Sequence, residues 1–219
     1  PNISYKVVSM TTNKWEKFAD SFEENNNYVV GLNDIKIVKD SFSSFSDSGN
    51  VLELGCGNGT YTECFVDSSI DITATDLSED MVSVAVKRFK NTENVTVKQA
   101  DCFNLKYSES SYDTVFMANL LHIVPNPEAL LSECFRVLKD GGQLIVVSFT
   151  LHGMTFLNQL QLKYRYLKTY GSKSSKSITL TPELAEKMSE ISGFKNIKTS
   201  LIGKSVKAVL FTAEKPHNN

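Results

Sequence analysis

A glycine-rich turn that directly follows a short apolar run constrains the fold of this chain most. Residues 51–54 have the apolar character of a strand, and Gly55, Gly57 and Gly59 follow at alternate positions. Glycine permits a tight turn and lets a ligand lie against the backbone. The turn is expected to lead into a helix whose free N–H groups face that ligand. The pattern therefore predicts a strand, a ligand-binding turn and a helix, in that order.

Strand and helix patterns alternate along the rest of the chain. Apolar or alternating runs predict strands at 51–54, 71–76, 94–101, 112–119 and 143–149. Two further strands, near 194–201 and 205–213, are separated by only a few residues and should pair antiparallel. Alternating strands and helices are typical of an α/β protein with a doubly wound, mostly parallel sheet.

Local signals predict where the helices begin and end. Helices should start after Ser78, at Asn126-Pro127 and at Thr181-Pro182, because these residues favour helix N-termini. The second of these helices is expected to end at Gly141-Gly142. Residues 1–49 have aromatic and aliphatic residues at partly helical spacing, and we interpret them as a short helical cap. Residues 50–219 then form the core of a single domain overall.

Composition limits the class of protein further. The chain has 219 residues and a net charge of −2, and a nucleic-acid-binding domain, which is usually basic, is not expected. No apolar run approaches the roughly 18 residues that span a bilayer, and the first residues lack the pattern of a secretory signal. The four cysteines lie outside metal-binding spacings. We expect a cytoplasmic protein with free thiols and no metal.

Carboxylates end three successive predicted strands. Glu53 precedes the turn, Asp76 ends the second strand and Asp101 ends the third. A pyrophosphate site would have a third glycine or alanine where Thr60 stands, and Glu53 would repel a pyrophosphate but attract an ammonium group. Asp76 can accept hydrogen bonds from ribose hydroxyls and Asp101 from an adenine amine. This pattern disfavours NAD and favours a ligand with an amino-acid end and a sulfonium.

These stretches resemble the class I S-adenosylmethionine-dependent methyltransferases over residues 50–150. The similarity lies in the glycine turn, in residues 74–81, in Ala100-Asp101-Cys102 and in residues 136–142. The type 11 small-molecule methyltransferases, which include the ubiquinone and menaquinone C-methyltransferases, look most similar. The resemblance implies a Rossmann-like sheet of seven strands with the last strand antiparallel. It also implies S-adenosylmethionine as cofactor and S-adenosylhomocysteine as product.

The same resemblance gives each motif residue a part of the cofactor. The methionine end would lie on the turn, the ribose at Asp76 and the adenine at Asp101 and Cys102. Met81 is placed for contact with the purine, and Asn119 lies beside the methionine moiety or the incoming substrate. The expected cofactor-binding residues are Glu53, Gly55, Gly57, Gly59, Asp76, Leu77, Met81, Asp101, Cys102 and Asn119.

The catalytic candidates are fewer. Methyl transfer from a sulfonium is an in-line displacement in which orientation supplies much of the acceleration, and a hydroxyl acceptor usually needs a general base as well. His122, three residues after Asn119, is the first candidate for that base, and His152 is the second. Tyr28 in the cap could close over the methyl group or the substrate, or pack the cap onto the core.

The acceptor is predicted only as a small molecule with an oxygen, nitrogen, sulfur or carbon nucleophile. Residues 151–180 contain five basic residues and no acidic one, with three tyrosines among them. This segment suits an acidic substrate or a membrane surface that delivers a quinone or another lipid-like one; a solvated helix face is the alternative. A non-catalytic cofactor-binding protein, an aminopropyltransferase-like enzyme and an NAD-linked enzyme are the competing functions. Oligomeric state stays open.

Overall fold

The computed structural model describes residues 19–171 and 177–217, and within them one seven-stranded sheet has the order β3-β2-β1-β4-β5-β7-β6. The strands are β1 (Gly49–Leu54), β2 (Ser69–Asp76), β3 (Val95–Gln99), β4 (Tyr112–Ala118), β5 (Leu138–Thr150), β6 (Lys195–Ile202) and β7 (Lys207–Glu214). The first five strands pair in parallel, whereas β7 pairs antiparallel with both β5 and β6. The predicted doubly wound sheet with its antiparallel last strand is confirmed.

Helices cover both faces of this sheet. They are α1 (Phe22–Val30), α2 (Leu32–Ser41), α3 (Glu79–Arg88), α4 (Pro127–Val137), α5 (Phe156–Tyr170) and α6 (Pro182–Ile191). The predicted starts of α3, α4 and α6 are confirmed, because the side chains of Ser78, Asn126 and Thr181 each accept a hydrogen bond from a backbone N–H in the first turn of their helix. These caps satisfy backbone donors that a helix otherwise leaves unpaired.

Two separate apolar cores hold the sheet between its helices. On one face, Leu52 and Met117 pack with residues of α4 and α6. On the other face, Phe42, which follows α2, lies 5.4 Å from Phe65, and Phe65 lies 4.4 Å from Phe116 of β4 between ring centroids. Since the later residues of β1 and β4 are all buried, these strands are mainly apolar there rather than alternating, with Glu53 as the ionisable exception in β1.

One predicted helix end was wrong, and the helix predicted after the glycine turn is of the 3₁₀ type. The helix expected to end at Gly141-Gly142 ends at Val137, and both glycines lie inside β5, where Gly141 donates to the carbonyl of Lys215. Pairing with the chain that follows β7 overrides the usual reading of glycine as a helix end. After the glycine turn, residues 62–68 form a 3₁₀ helix. A 3₁₀ helix rises about 2.0 Å per residue, more than an α-helix, and so covers the distance to β2 with few residues.

The helices α1 and α2 precede the sheet, inside the segment interpreted as a cap; residues 1–18 of that segment lie outside the described residues. Asp34 of α2 is buried and joins the cap to the turn between β6 and β7. Its carboxylate accepts hydrogen bonds from the backbone N–H groups of Lys204, Ser205 and Val206, at 2.6, 3.2 and 2.9 Å. This contact fixes the cap against the far edge of the sheet. That residues 1–49 act as a unit stays a prediction.

Candidate active site

The carboxyl ends of β1, β2, β3 and β4 meet at one edge of the sheet and bring the predicted site residues to it. The strand order places β1 between β2 and β4, which is where the winding of the sheet reverses. Glu53 lies near the end of β1, Asp76 is the last residue of β2, and Asn119 follows β4 directly. In open α/β sheets, ligands bind at this kind of position.

The glycine turn adopts a backbone that needs glycine. Gly55, Gly57 and Gly59 have φ values of 70°, 55° and 84°, in the left-handed region. At Gly59 a Cβ atom would lie 2.4 Å from the ring of Phe89, so this residue, directly after α3, leaves no room for a side chain. At Gly57, by contrast, a Cβ atom would meet nothing within 4 Å. The turn is therefore packed on one side and open on the other, where a ligand can approach.

Glu53 places a carboxyl group beneath this turn. Its side chain is only 1% exposed and accepts a hydrogen bond of 2.6 Å from the hydroxyl of Thr62. Burial raises the pKa of Glu53 to about 8, with a smaller contribution from the nearby charge of Asp76, although the Thr62 hydroxyl acts in the opposite direction. A cationic ligand beside Glu53 would stabilise its ionised form.

Asp76 ties the turn to the start of α3. Its two carboxylate oxygens accept hydrogen bonds from the backbone N–H groups of Gly57, at 2.8 Å, and Ser78, at 2.9 Å. Burial raises the pKa of Asp76, and these N–H groups oppose the shift. Each carboxylate oxygen can accept two hydrogen bonds, so both retain capacity for ligand hydroxyls. The carboxylate thus positions the turn and remains able to bind.

The residues expected at the adenine differ in character. Asp101 is half-buried, and its carboxylate accepts a hydrogen bond of 2.9 Å from the N–H of Phe103. Cys102 is also half-buried, and burial raises the pKa of its thiol to about 12, so the thiol is neutral at pH 7. Met81 is buried in the first turn of α3, and Leu77 is half-buried. These side chains offer one carboxylate and several apolar surfaces.

Asn119 braces the end of β4 against β5. Its φ is 58°, a conformation that asparagine adopts more readily than most residues. Its backbone N–H donates to the carbonyl of Val147, at 2.7 Å, and its side-chain oxygen accepts from the N–H of Phe149, at 2.9 Å. These two contacts fix the direction of the side chain at the switch point.

Tyr61 belongs to the same edge and was not predicted from the sequence. It follows the glycine turn, and its ring is buried. Burial raises the pKa of its phenol, and interactions with the side chains of Asn119 and Asn26 act in the opposite direction. The position of a tyrosine next to a ligand-binding turn is a sequence signal that could have identified this residue. Only the structure shows that Tyr61 faces Asn119, which follows β4, and Asn26 of α1.

The catalytic candidates lie on the other side of the switch point. His122 is half-buried in the turn after β4, and its carbonyl accepts a hydrogen bond of 2.9 Å from the N–H of Ile178. Tyr28 is 46% exposed, and the cationic groups of Arg165 and Lys168 lie 5.7 and 5.9 Å from its ring centroid. His152 is exposed just after β5. In the structure, Tyr28 therefore contacts the basic side chains of α5.

The described residues contain neither a cluster of metal ligands nor a membrane-spanning helix. Among residues 19–171 and 177–217, no three histidine, cysteine, aspartate or glutamate side chains gather in a way that could hold a metal ion. Within the same residues, no helix is both long and apolar enough to cross a bilayer. A polar depression of about 430 Å³ lies at the opposite, amino-terminal edge of the sheet, beside Asn50, Asp71 and Tyr112.

The strand order, the glycine turn and the carboxylates beside it define a class I S-adenosylmethionine-dependent methyltransferase domain, for which S-adenosylmethionine is the cofactor. A family model described as a methyltransferase domain matches residues 52–146 of this chain. The match runs from β1 to β5 and includes every predicted cofactor-binding residue. This segment of the chain is therefore similar to that family, as the sequence resemblance implied.

Named relatives share this domain. A phosphoethanolamine N-methyltransferase 2 of Caenorhabditis elegans is 25% identical over 179 residues, which cover 80% of this chain and 39% of that protein. A demethylmenaquinone methyltransferase of Clavibacter sepedonicus is 32% identical over 100 residues, which cover 46% of this chain and 41% of that protein. The chain thus spans well under two thirds of the length of the curated relatives it matches.

A solved structure shows the same fold. Phosphoethanolamine N-methyltransferase 2 of Haemonchus contortus, in complex with phosphomonomethylethanolamine and S-adenosylhomocysteine, superposes with a TM-score of 0.70 and 17% sequence identity. The superposition covers 92% of this chain and 58% of that one. At this identity the likeness establishes the fold.

Proposed function

We propose that this protein transfers a methyl group from S-adenosylmethionine to a small-molecule acceptor. The observation that carries the proposal is the carboxyl edge of the sheet. There, Glu53 and Asp76 lie on either side of a glycine turn with open space above Gly57. The buried carboxyl group of Glu53 suits an ammonium group. The turn backbone admits close approach of a methionine chain, and the carboxylate of Asp76 can still accept hydrogen bonds from a ribose.

We assign the remaining contacts by the same chemistry. Asp101 accepts from the adenine amine, and Leu77, Met81 and Cys102 supply apolar contact with the purine. Asn119, fixed by its bonds to β5, faces the methionine moiety or the acceptor. S-adenosylmethionine supplies an electrophilic methyl group on a sulfonium. The acceptor's electron pair forms the new bond to the methyl carbon as the carbon–sulfur bond breaks, and the sulfur leaves as a neutral thioether.

We assign the general base, where the acceptor needs one, to His122. It lies after β4, on the acceptor side of the switch point, and its carbonyl holds Ile178 of the segment that follows α5. A neutral imidazole can take the acceptor's proton as the methyl group is transferred. The names of the two relatives, one for a phosphorylated amine and one for a quinone precursor, support a small-molecule acceptor and leave the acceptor atom open.

The cofactor half of this proposal is tested by calorimetric titration with S-adenosylmethionine, S-adenosylhomocysteine and NAD. Both adenosyl ligands should bind, and NAD should not. A ligand at 100 times its dissociation constant adds about 2.7 kcal/mol to the free energy of unfolding, so thermal unfolding provides a second reading. Binding of NAD alone, or of no ligand in either assay, would contradict the site assignment.

The catalytic half of the proposal is tested by measuring turnover. Alcohol, amine, thiol and quinol acceptors should be incubated with S-adenosylmethionine, and S-adenosylhomocysteine formation measured for each. With an acceptor that is turned over, His122→Ala should slow the reaction and leave cofactor affinity unchanged. The exposed His217, which lies beside Gly141 and away from the site, provides the matched control variant His217→Ala. A full rate for His122→Ala excludes it as the base. Cofactor binding with no turnover of any acceptor favours the non-catalytic binding protein.

We also propose a cytoplasmic location, which the state of the cysteines supports. All four cysteines are free thiols in the structure, and Cys56 and Cys134 are buried. A reducing compartment keeps such thiols unpaired. The methyl transfer proposed above does not require Cys56 to become exposed.

A further inference from the structure

Helix α5 carries a second apolar face that points to solvent. Five of its side chains are large and apolar, with exposed fractions from 48% to 74%. They are Phe156, Leu157, Leu160, Tyr164 and Leu167, and we call them the exposed stripe. At 3.6 residues per turn they occupy an arc of about 100° around the helix axis. An ordinary surface helix presents polar residues on this side.

The opposite face of α5 already anchors the helix to the protein. Tyr170 is buried, its ring centroid lies 6.4 Å from that of Phe22 in α1, and Leu162 and Tyr166 pack against the same small core as Val30. The exposed stripe is therefore not needed to hold α5 in place. A contiguous exposed apolar patch of this kind commonly marks a contact with a membrane or another protein.

Basic side chains border the stripe. By helical periodicity, Lys163 lies at one edge and Lys168 at the other, and Arg165 follows beyond Lys168. Residues 151–180 contain no acidic residue. Lysine and arginine extend apolar stems along such a surface while their charged ends remain in water. An apolar stripe with cationic borders is complementary to a bilayer surface with anionic headgroups.

We propose that α5 binds flat on an anionic lipid surface, with the exposed stripe in the headgroup–acyl boundary and the lysines at the headgroups. A second copy of the chain is disfavoured as the partner. A two-fold contact through the stripe would bring the bordering cations of both copies together, with no acidic residue of this segment to pair with them. The inference concerns a surface and does not depend on methyl transfer.

The position of α5 gives this surface a use. The helix follows the carboxyl end of β5, at the edge of the sheet that holds the site. After α5 the chain returns to that edge, where Ile178 donates to the carbonyl of His122 and the Thr150 hydroxyl donates to the carbonyl of Leu180, at 2.9 and 2.6 Å. An amphiphilic methyl acceptor held in the bilayer would therefore approach the protein near His122 and the segment after α5.

Co-sedimentation with vesicles tests the proposal directly. The full chain should bind vesicles of equal parts phosphatidylglycerol and phosphatidylcholine, bind phosphatidylcholine alone much more weakly, and dissociate from the mixed vesicles in high salt. Because each basic residue near an anionic surface strengthens partition about five-fold, the double variant Lys163→Gln/Lys168→Gln should lose roughly 30-fold in partition. Leu157→Gln/Leu167→Gln should lose at least as much.

Matched control variants distinguish binding through the exposed stripe from nonspecific adsorption of exposed apolar side chains. Ile70→Gln and Ile191→Gln alter exposed apolar side chains elsewhere, at 68% and 62% exposure, and should bind vesicles like the parent. Unchanged S-adenosylhomocysteine affinity shows that each variant is folded. Absence of binding to the mixed vesicles, or equal binding by the parent and the Leu157→Gln/Leu167→Gln variant, would overturn the proposal. A dimer in light scattering that only the stripe variant dissolves would assign the stripe to a second copy instead.

Discussion

Two buried carboxyl groups in this protein have unlike surroundings. Asp34 joins α2 to the turn between β6 and β7 and receives three backbone N–H groups. Glu53, beneath the glycine turn, receives one threonine hydroxyl, and burial raises its pKa to about 8. A buried polar group that is fully hydrogen-bonded stabilises a fold, whereas one with remaining capacity suits a ligand. The difference separates a structural joint from a binding site.

The largest effect should come from breaking the structural joint. Asp34→Ala leaves three inward-facing N–H groups without their acceptor, and we expect the free energy of unfolding to fall by about 3 kcal/mol, measured by urea denaturation. The matched control is Asp40→Ala on the same helix, whose exposed ion pair with Lys36 contributes well under about 1 kcal/mol. Equal losses of unfolding free energy in the two variants would mean that Asp34 does not stabilise the contact between α2 and the turn between β6 and β7.

Asp76 should respond in affinity more than in stability. Asp76→Asn keeps an acceptor for one backbone N–H but removes the charge that a ribose would meet. Hydrogen bonds to charged groups contribute about 1.5–3 kcal/mol, so S-adenosylhomocysteine should bind about 10- to 100-fold more weakly in calorimetry. Asp71→Asn, at the exposed opposite end of β2, should bind like the parent. Affinity retained by Asp76→Asn removes the residue from the site.

Glu53 should make stability depend on pH. Its pKa rises from 4.5 to about 8 on folding, so the folded protein keeps a proton that the unfolded chain has lost. Its stabilising contribution is complete below about pH 4.5, declines as the pH rises and is lost above about pH 8. Glu53→Gln should remove this decline in urea unfolding measured from pH 5 to pH 8. If the free energy of unfolding of Glu53→Gln falls with pH as it does in the parent, the pH dependence belongs to another group.

The same residue links cofactor binding to protons. If the cofactor's ammonium ionises Glu53, the parent should release more protons on binding at pH 7 than Glu53→Gln does. Calorimetry in buffers of different ionisation enthalpy measures that difference directly. The exposed Glu63→Gln serves as the control. Identical proton release by the parent and Glu53→Gln would place the ammonium elsewhere and leave Glu53 as a second structural group.

The smallest effect is expected at Arg88, which connects the cap to the core. Its guanidinium lies 2.6 Å from Glu63 and 3.0 Å from Glu23 of α1, with both carboxylates partly exposed. Exposed ion pairs contribute about 0.2–1 kcal/mol and are screened by salt. Arg88→Met should lower the free energy of unfolding within that range, and the difference should shrink at high salt. A larger loss that salt leaves unchanged would indicate packing instead.

Most of the sheet and the glycine turn of the candidate site could be predicted from the sequence, because local rules govern them. The glycine turn, the capped helix starts and the continuous apolar runs of β1, β4 and β5 each act over a few residues. Gly141-Gly142 were misread since a long-range pairing with Lys215 decides their conformation. The same holds for the contact of Asp34 with residue 204 and for Tyr61 facing Asn119. These contacts join positions far apart in sequence.

The strand order changes direction between β1 and β4, and this arrangement bears on how the acceptor specificity of such a protein can change during evolution. The residues to which we assign the cofactor lie mainly at the ends of β1, β2 and β3, on one side of the reversal, and α5 and the segment after it lie on the other. A change of residue on the acceptor side leaves the hydrogen bonds of Asp76 to the turn untouched. Selection can therefore alter the acceptor over generations while the methyl donor stays the same.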